Sequence, residues 1–181
     1  MEKREILLGI TGGVAAYKTA WLASRLVQQG AGVTVVLTAA ARRFVTPELF
    51  AALSGRKVYT DLFDPDCPLG AHIQLAQQHQ LVCVAPATAA FMARLAHGLA
   101  DDLLTAVLLA FDGPVVLAPA MNAQMWNHPA TQRNVEQLRR DGYHLLGPEE
   151  GWLSCRQRGV GRMIEPEQIL QYLQQLCRES S

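Results

Sequence analysis

Apolar and polar positions fall in blocks along this chain. Glu5-Ile6-Leu7-Leu8-Gly9-Ile10 is a short, β-rich apolar run, the pattern of a strand buried on both faces. Thr11-Gly12-Gly13 interrupts it. Ala16, Ala20, Ala23 and Val27 then recur at helical spacing beside Leu22 and Leu26, until Gly30 and Gly32 stop the helix. Val33 to Leu37 predicts a second strand, and a helical pattern resumes through Leu53 with Pro47 in a first-turn position. Leu81-Val82-Cys83-Val84-Ala85 predicts a third buried strand, followed by two Ala/Leu-rich helices divided near Gly98. Pro114 to Ala118 predicts a fourth strand, Thr131 to Arg140 a helix and Tyr143 to Leu146 a fifth strand. Ile169, Leu173, Leu176 and Cys177 stripe one face of the last helix.

Strands alternating with helices predict an α/β fold: a single-domain, Rossmann-like (flavodoxin-like) doubly wound parallel sheet with helices on both faces. The domain covers residues 1–181, without a repeat or interdomain linker. Two stretches read as irregular, Tyr59 to Ala71 and Gly147 to Met163. Loops of that length in a compact domain usually serve an active site or an interface.

Composition narrows the function. With 181 residues, half of them apolar, the chain can bury one substantial core. Sixteen basic against 16 acidic side chains leave no positive excess, which argues against nucleic acid as a partner. The longest apolar candidate, Leu81 to Ala93, carries Pro86 and Thr88 and ends at Arg94, short of the roughly 18 residues a membrane helix needs. Met1-Glu2-Lys3-Arg4-Glu5 runs straight into the first strand and lacks the features of a secretion signal, so a cytoplasmic protein with reduced thiols is expected. Cys67, Cys83, Cys155 and Cys177 form no C-x-x-C pair, and no metal site is expected. Cys83 lies in an apolar run and reads as packing.

In open parallel sheets, ligands bind beyond the carboxyl ends of the strands. After the first strand, Thr11-Gly12-Gly13-Val14 lets an anion approach the backbone at a helix N-terminus, although neither G-x-G-x-x-G nor a Walker loop is present. Thr38-Ala39-Ala40 and Pro86-Ala87-Thr88-Ala89 follow the second and third strands. Small residues at three neighbouring strand ends leave room for a flat ligand. Thr38 stands where an NAD site would carry an acid, which favours a mononucleotide.

The fourth strand ends in Ala118-Pro119-Ala120-Met121-Asn122-Ala123-Gln124-Met125-Trp126-Asn127-His128-Pro129. Asn122 can both donate to and accept from a carboxylate or amide. On pattern alone, Met121, Met125 and Trp126 read as core filling at helical spacing. Trp152 to Met163 has the look of a mobile flap, with Cys155 among Arg156, Arg158 and Arg162; a solvated basic loop is the alternative.

Together these segments resemble the homo-oligomeric flavin-containing cysteine decarboxylase family, from Ile6 to about Leu176. Pro119 to Trp126 is similar to the family's P-x-M-N-x-x-M-W signature, which related flavin prenyltransferases lack. His72-Ile73-Gln74-Leu75 resembles its histidine motif, and Leu153-Ser154-Cys155 through Gly159-Val160-Gly161-Arg162-Met163 its substrate flap, about 147–163. Gly13, Ala90, Asp102, Ser154 and Arg156 depart from the usual Ser, Asn, Asn, Ala and Gly.

The resemblance implies FMN, held by Gly12, Gly13, Val14, Thr38, Phe44, Pro86, Ala87, Thr88, Ala89 and Ala120. It implies catalytic roles for His72, Asn122 and Cys155, and substrate contacts from Asn122, Met125, Arg158 and Arg162. The other histidines, His79, His97, His128 and His144, are expected at the surface or behind the site. It implies a homo-oligomer, a trimer or dodecamer, with the flavin at a subunit interface and the 59–71 stretch as the candidate for completing a neighbour's site. Within the family the likeness is to members acting on 4'-phosphopantothenoylcysteine in coenzyme A biosynthesis; nothing follows Ser181 to supply a ligase half, so a stand-alone decarboxylase is expected. A cysteine carboxylate leaves only if an adjacent thioaldehyde takes up the electron pair, and flavin supplies the oxidation and reversal that this requires. Asn122 would hold the carboxylate, His72 would act as base or position it, and Cys155 would protonate the enethiolate. A peptidyl-cysteine decarboxylase and a non-catalytic regulatory homologue are the alternatives.

Overall fold

The computed structural model describes residues 4–67 and 70–179. Pro68 and Leu69, within the 59–71 stretch, and the two chain ends lie outside the described residues. The elements run β1 (Glu5–Ile10), α1 (Ala16–Gln28), β2 (Gly32–Leu37), a 3-10 turn (Ala41–Arg43), α2 (Pro47–Ser54), β3 (Val58–Tyr59) and α3 (Ala71–Gln78). There follow β4 (Leu81–Ala87), α4 (Ala89–Ala96), α5 (Leu103–Ala110), β5 (Val115–Pro119), α6 (Ala123–Asn127), α7 (Pro129–Arg140) and β6 (His144–Leu145). A hairpin of β7 (Glu149–Trp152) and β8 (Arg158–Arg162) precedes α8 (Pro166–Glu179).

Six strands pair in parallel in the order β3-β2-β1-β4-β5-β6, the doubly wound Rossmann order. If the two-residue edge strand β3 is set aside, the remaining five follow the flavodoxin order. Alternation along β1 sends Ile6, Leu8 and Ile10 to one face, against Leu22 and Leu26 of α1 and Ile169 and Leu173 of α8. Leu7 goes to the other face, with Phe91 and Met92 of α4, Leu104 and Val107 of α5 and Leu138 of α7. Both faces are therefore covered, which is why the central strands read as continuous apolar runs.

Local chemistry sets the helix ends. Thr46 caps α2 by accepting from the Leu49 amide, and the helix closes at Gly55, whose φ of 67° is the left-handed conformation glycine favours. Thr88 caps α4 and Asp102 caps α5, the latter in a reciprocal capping box with Thr105. Asp102 also meets Arg94 at 3.0 Å, so it is an anchoring residue of α5.

Three expectations change, and the histidine segment gains an element. Gly147 to Met163 is largely an antiparallel hairpin rather than irregular chain; Gly151, Gly159 and Gly161 hide the alternation that marks a strand. The stretch from Tyr59 to Ala71 begins with the end of β3, too short to show a pattern. His72 to Leu75 lies on a helix, α3, whose buried face is Ala71, Leu75 and Ala76. His79 is buried, not at the surface, with its Nδ1 donating to the Leu75 carbonyl at 2.6 Å. Burial pushes its pKa down, while it pushes the fully buried Cys83 thiol up to about 12, as suits a packing thiol.

Candidate functional site

The sheet's switch point lies between β1 and β4, where the chain leaves neighbouring strands in opposite directions. Thr11, buried just beyond β1, stitches the two strands together. Its hydroxyl donates to the Pro86 carbonyl at 2.6 Å and accepts from the Thr88 amide at 3.1 Å. Gly12 lies so close to Ala40 that any Cβ on it would run into the Ala40 methyl. Gly13 faces Pro86, 3.3 Å from where its Cβ would stand. Close approach, rather than an unusual φ, is what requires glycine here. The N-terminus of α1 has neither a side-chain cap nor an acidic residue in its first turn, so its partial positive charge is uncancelled from within the chain.

The other expected cofactor residues gather at the same edge. Thr38 follows β2, its hydroxyl accepting from the Ala41 amide at 3.2 Å. Pro86 and Ala87 end β4, and Thr88 and Ala89 open α4. Ala120 follows β5 and donates its amide to the Ala87 carbonyl at 3.1 Å. Val14 and Phe44 are 51% and 53% exposed, apolar side chains turned outward at this rim.

Beside the rim stands Asn122, the N-cap of α6. Its Oδ1 accepts from the Gln124 amide at 2.7 Å and its Nδ2 donates to the Cys155 sulfur at 3.3 Å. Cys155 rides the exposed tip of the β7–β8 hairpin, which is closed by Leu153 N to Gln157 O at 2.8 Å and Arg156 N to Leu153 O at 2.9 Å. Arg156 takes a φ of 62° at this turn. Two glycines seat the hairpin on the Asn122 loop. Met121 N donates to Gly161 O at 2.9 Å, and a Cβ on Gly159 would lie 2.9 Å from that of Ala123. Met121 and Trp126 pack against the second core cluster while Met125 stays exposed, so the motif serves both core and surface.

The hairpin base is held by charge. Arg162 pairs with Glu149 at 3.2 Å and with Glu165 at 3.1 Å, and Glu165 is bound in turn by Lys18 of α1 at 2.9 Å. Arg162 therefore has its charge compensated within the chain. Arg158 is exposed and takes part in none of the ion pairs found among the described residues.

His72 sits in the first turn of α3, where Gly70 leaves room for its ring. Its Nδ1 is buried without a hydrogen-bond partner. Among the described residues no hydrogen bond joins His72 to Asn122 or Cys155. The chain thus brings Asn122 and Cys155 together and carries His72 separately, on a helix packed against α5. The sequence reading missed the structural parts played by Thr11, Lys18, Glu149 and Glu165. The hydroxyl ahead of two glycines was a legible signal for Thr11; partners 147 residues apart, as Lys18 and Glu165 are, leave none.

The family model described as Flavoprotein matches residues 1–178. The chain is 48% identical over 171 residues to the coenzyme A biosynthesis bifunctional protein CoaBC of Bacillus subtilis, covering 94% of this chain and 42% of that protein. It thus spans about two-fifths of the length of the curated relatives it matches. Among solved structures it resembles the FMN-dependent cysteine decarboxylase SpaF, with a TM-score of 0.82 and 35% identity, covering 96% of this chain and 97% of the other. A cysteine-to-serine mutant of PPC decarboxylase complexed with pantothenoylaminoethenethiol superposes with a TM-score of 0.84 at 29% identity, covering 98% and 100% of the two chains. Among the described residues, no helix is long and apolar enough to cross a membrane.

Proposed function

The chain belongs to the flavoprotein family, and from that premise we propose that it is an FMN-dependent decarboxylase of 4'-phosphopantothenoylcysteine serving coenzyme A biosynthesis. The observation that carries this reading is the contact of Asn122 with Cys155 beside the strand-end crevice. A carboxylate-binding amide and a thiol proton donor are two of the groups a cysteine decarboxylation needs beyond a redox cofactor.

The crevice suits FMN. Gly12 and Gly13 let the turn after β1 pack closely on Ala40 and Pro86, the uncapped α1 N-terminus suits a phosphate, and the small residues of the β4 and β5 ends suit a flat ring. Gly12, Gly13, Val14, Thr38, Phe44, Pro86, Ala87, Thr88, Ala89 and Ala120 would hold it. Bound there, FMN supplies a reversible two-electron oxidation of the carbon bearing sulfur. Asn122 presents its Nδ2 to the substrate carboxylate, because Gln124 occupies its oxygen. Cys155 would supply the proton, and reduced flavin the hydride, that together take the enethiolate to the saturated thiol. Arg158, exposed and uncompensated, suits the substrate phosphate better than Arg162, and Met125 offers apolar contact to the chain between.

His72 completes the site from a second copy of the chain in a homo-oligomer, a trimer or dodecamer. The outward-facing Val14, Tyr17, Phe44 and Leu49 support burial against another subunit.

A second reading is a peptidyl-cysteine decarboxylase, since SpaF, matched over almost all of both chains, is described as an FMN-dependent cysteine decarboxylase without reference to a phosphopantothenoyl substrate. The test is direct. Purified protein loaded with FMN should show a flavin absorption band and convert phosphopantothenoylcysteine to phosphopantetheine, read by mass. A colourless preparation that ignores added FMN would overturn the proposal. Faster turnover of a peptide ending in cysteine would favour the second reading.

A further inference from the structure

We propose that Glu165, with Lys18 and Arg162, forms a positioning network that sets the Cys155 hairpin over the site; this rests on the decarboxylase reading for its catalytic consequence only. Four observations lead there. An isolated two-stranded hairpin is marginal in water, and β7–β8 pairs with no strand of the main sheet. Its inner side meets the Asn122 loop through Gly159 and Gly161, which supply backbone contact but no side-chain grip. Burial of Leu153 and Met163 holds the hairpin to the core, and a polar grip is added by Arg162, which lies across Gly151 of the opposite strand and reaches Glu149 on one side and Glu165 on the other. Glu165 lies just beyond β8 and takes both carboxylate oxygens to Lys18 Nζ, each at 2.9 Å.

Lys18 stands in the opening turns of α1, the helix that follows Gly12-Gly13. A lysine there is placed to reach a bound phosphate, yet this one is committed to Glu165, with its side chain only 16% exposed. The two cations and two anions compensate one another. The network therefore supplies no charge to a ligand. It ties the hairpin's base to the helix whose N-terminus borders the crevice, so the cofactor edge and the proton-donating tip share one rigid link. Arg162 belongs to that link and is a positioning residue, not a substrate ligand.

The test compares wild type with Glu165→Gln, Lys18→Met and Lys18→Arg. The rate of iodoacetamide alkylation at Cys155, followed by mass analysis of its peptide, should rise roughly fivefold in the first two, the effect of losing one network contact. In turnover, the same two variants should release a share of the unsaturated, oxidised thiol, whereas wild type releases the saturated product. Lys18→Arg should restore both readouts. A role confined to folding would lower the yield of folded flavoprotein and leave the product ratio and the alkylation rate unchanged; that result would overturn the proposal. Failure of wild type to consume either cysteine substrate would sink the decarboxylase reading alone, because alkylation needs neither substrate nor flavin.

Discussion

The amide of Asn122 donates to the sulfur of Cys155 at 3.3 Å, joining the loop after β5 to the tip of a hairpin 33 residues later. The same amide is oriented by its other end, since Oδ1 accepts the Gln124 N–H at 2.7 Å. The donor edge is thus the one left to face a ligand.

That orientation makes Asn122→Asp an informative substitution. Aspartate caps a helix as well as asparagine, so α6 should persist and the flavin should be retained. The donor becomes a second carboxylate, which repels the first. Release of carbon dioxide should fall by about 10²–10³, the usual effect of removing a preorganised donor. Unchanged release would exclude Asn122 from carboxylate binding.

Cys155→Ser separates the two halves of the reaction. The hydroxyl is too weak an acid to protonate the enethiolate efficiently, so carbon dioxide should still be released while the product stays unsaturated. Mass analysis of the product distinguishes the two thiols. Complete conversion to the saturated form would reassign the proton donor.

Gly12→Ala tests the close approach of β1's end to Ala40. The new methyl has no space, and the two segments must separate. A destabilisation of about 1–3 kcal/mol is expected from such overpacking, with weaker retention of FMN. Urea unfolding and flavin titration measure the two effects. Gly13→Ser should be far milder, since its Cβ needs a shift of only a few tenths of an ångström.

Stability should fall on mild acidification. Burial, partly opposed by the hydrogen bond to Leu75, holds the His79 pKa below its ordinary 6.5. Above that value the ring is neutral in both the folded and unfolded states. As pH falls below it, the unfolded chain binds a proton that the folded chain resists, so stability is lost until the folded pKa is reached. Glu5, held below 4.5 by its hydrogen bond to Arg56, adds a further loss at lower pH. Urea midpoints at pH 7.5 and 5.5 should differ in wild type and converge in His79→Gln.

How much of this was legible depended on how local each signal was. β1, β2, β4 and β5 announced themselves because burial on both faces demands unbroken apolar runs. β3 has two residues and lies at the edge, so no period could reveal it. The hairpin escaped because its glycines serve packing against Met121 and Ala123 rather than flexibility. Thr11-Gly12-Gly13 and Asn122 pointed to ligand chemistry from residue type and position. That Asn122 bonds Cys155 could not be read from either segment alone, and neither could the engagement of Arg162 by acids from two other parts of the chain. His79 carried no sign of burial, since only tertiary packing encloses it.

Thr11 directs both capacities of its hydroxyl inward, one to each side of the Pro86–Thr88 turn. It therefore acts as a gauge that fixes the gap between two strands, leaving recognition to its neighbours.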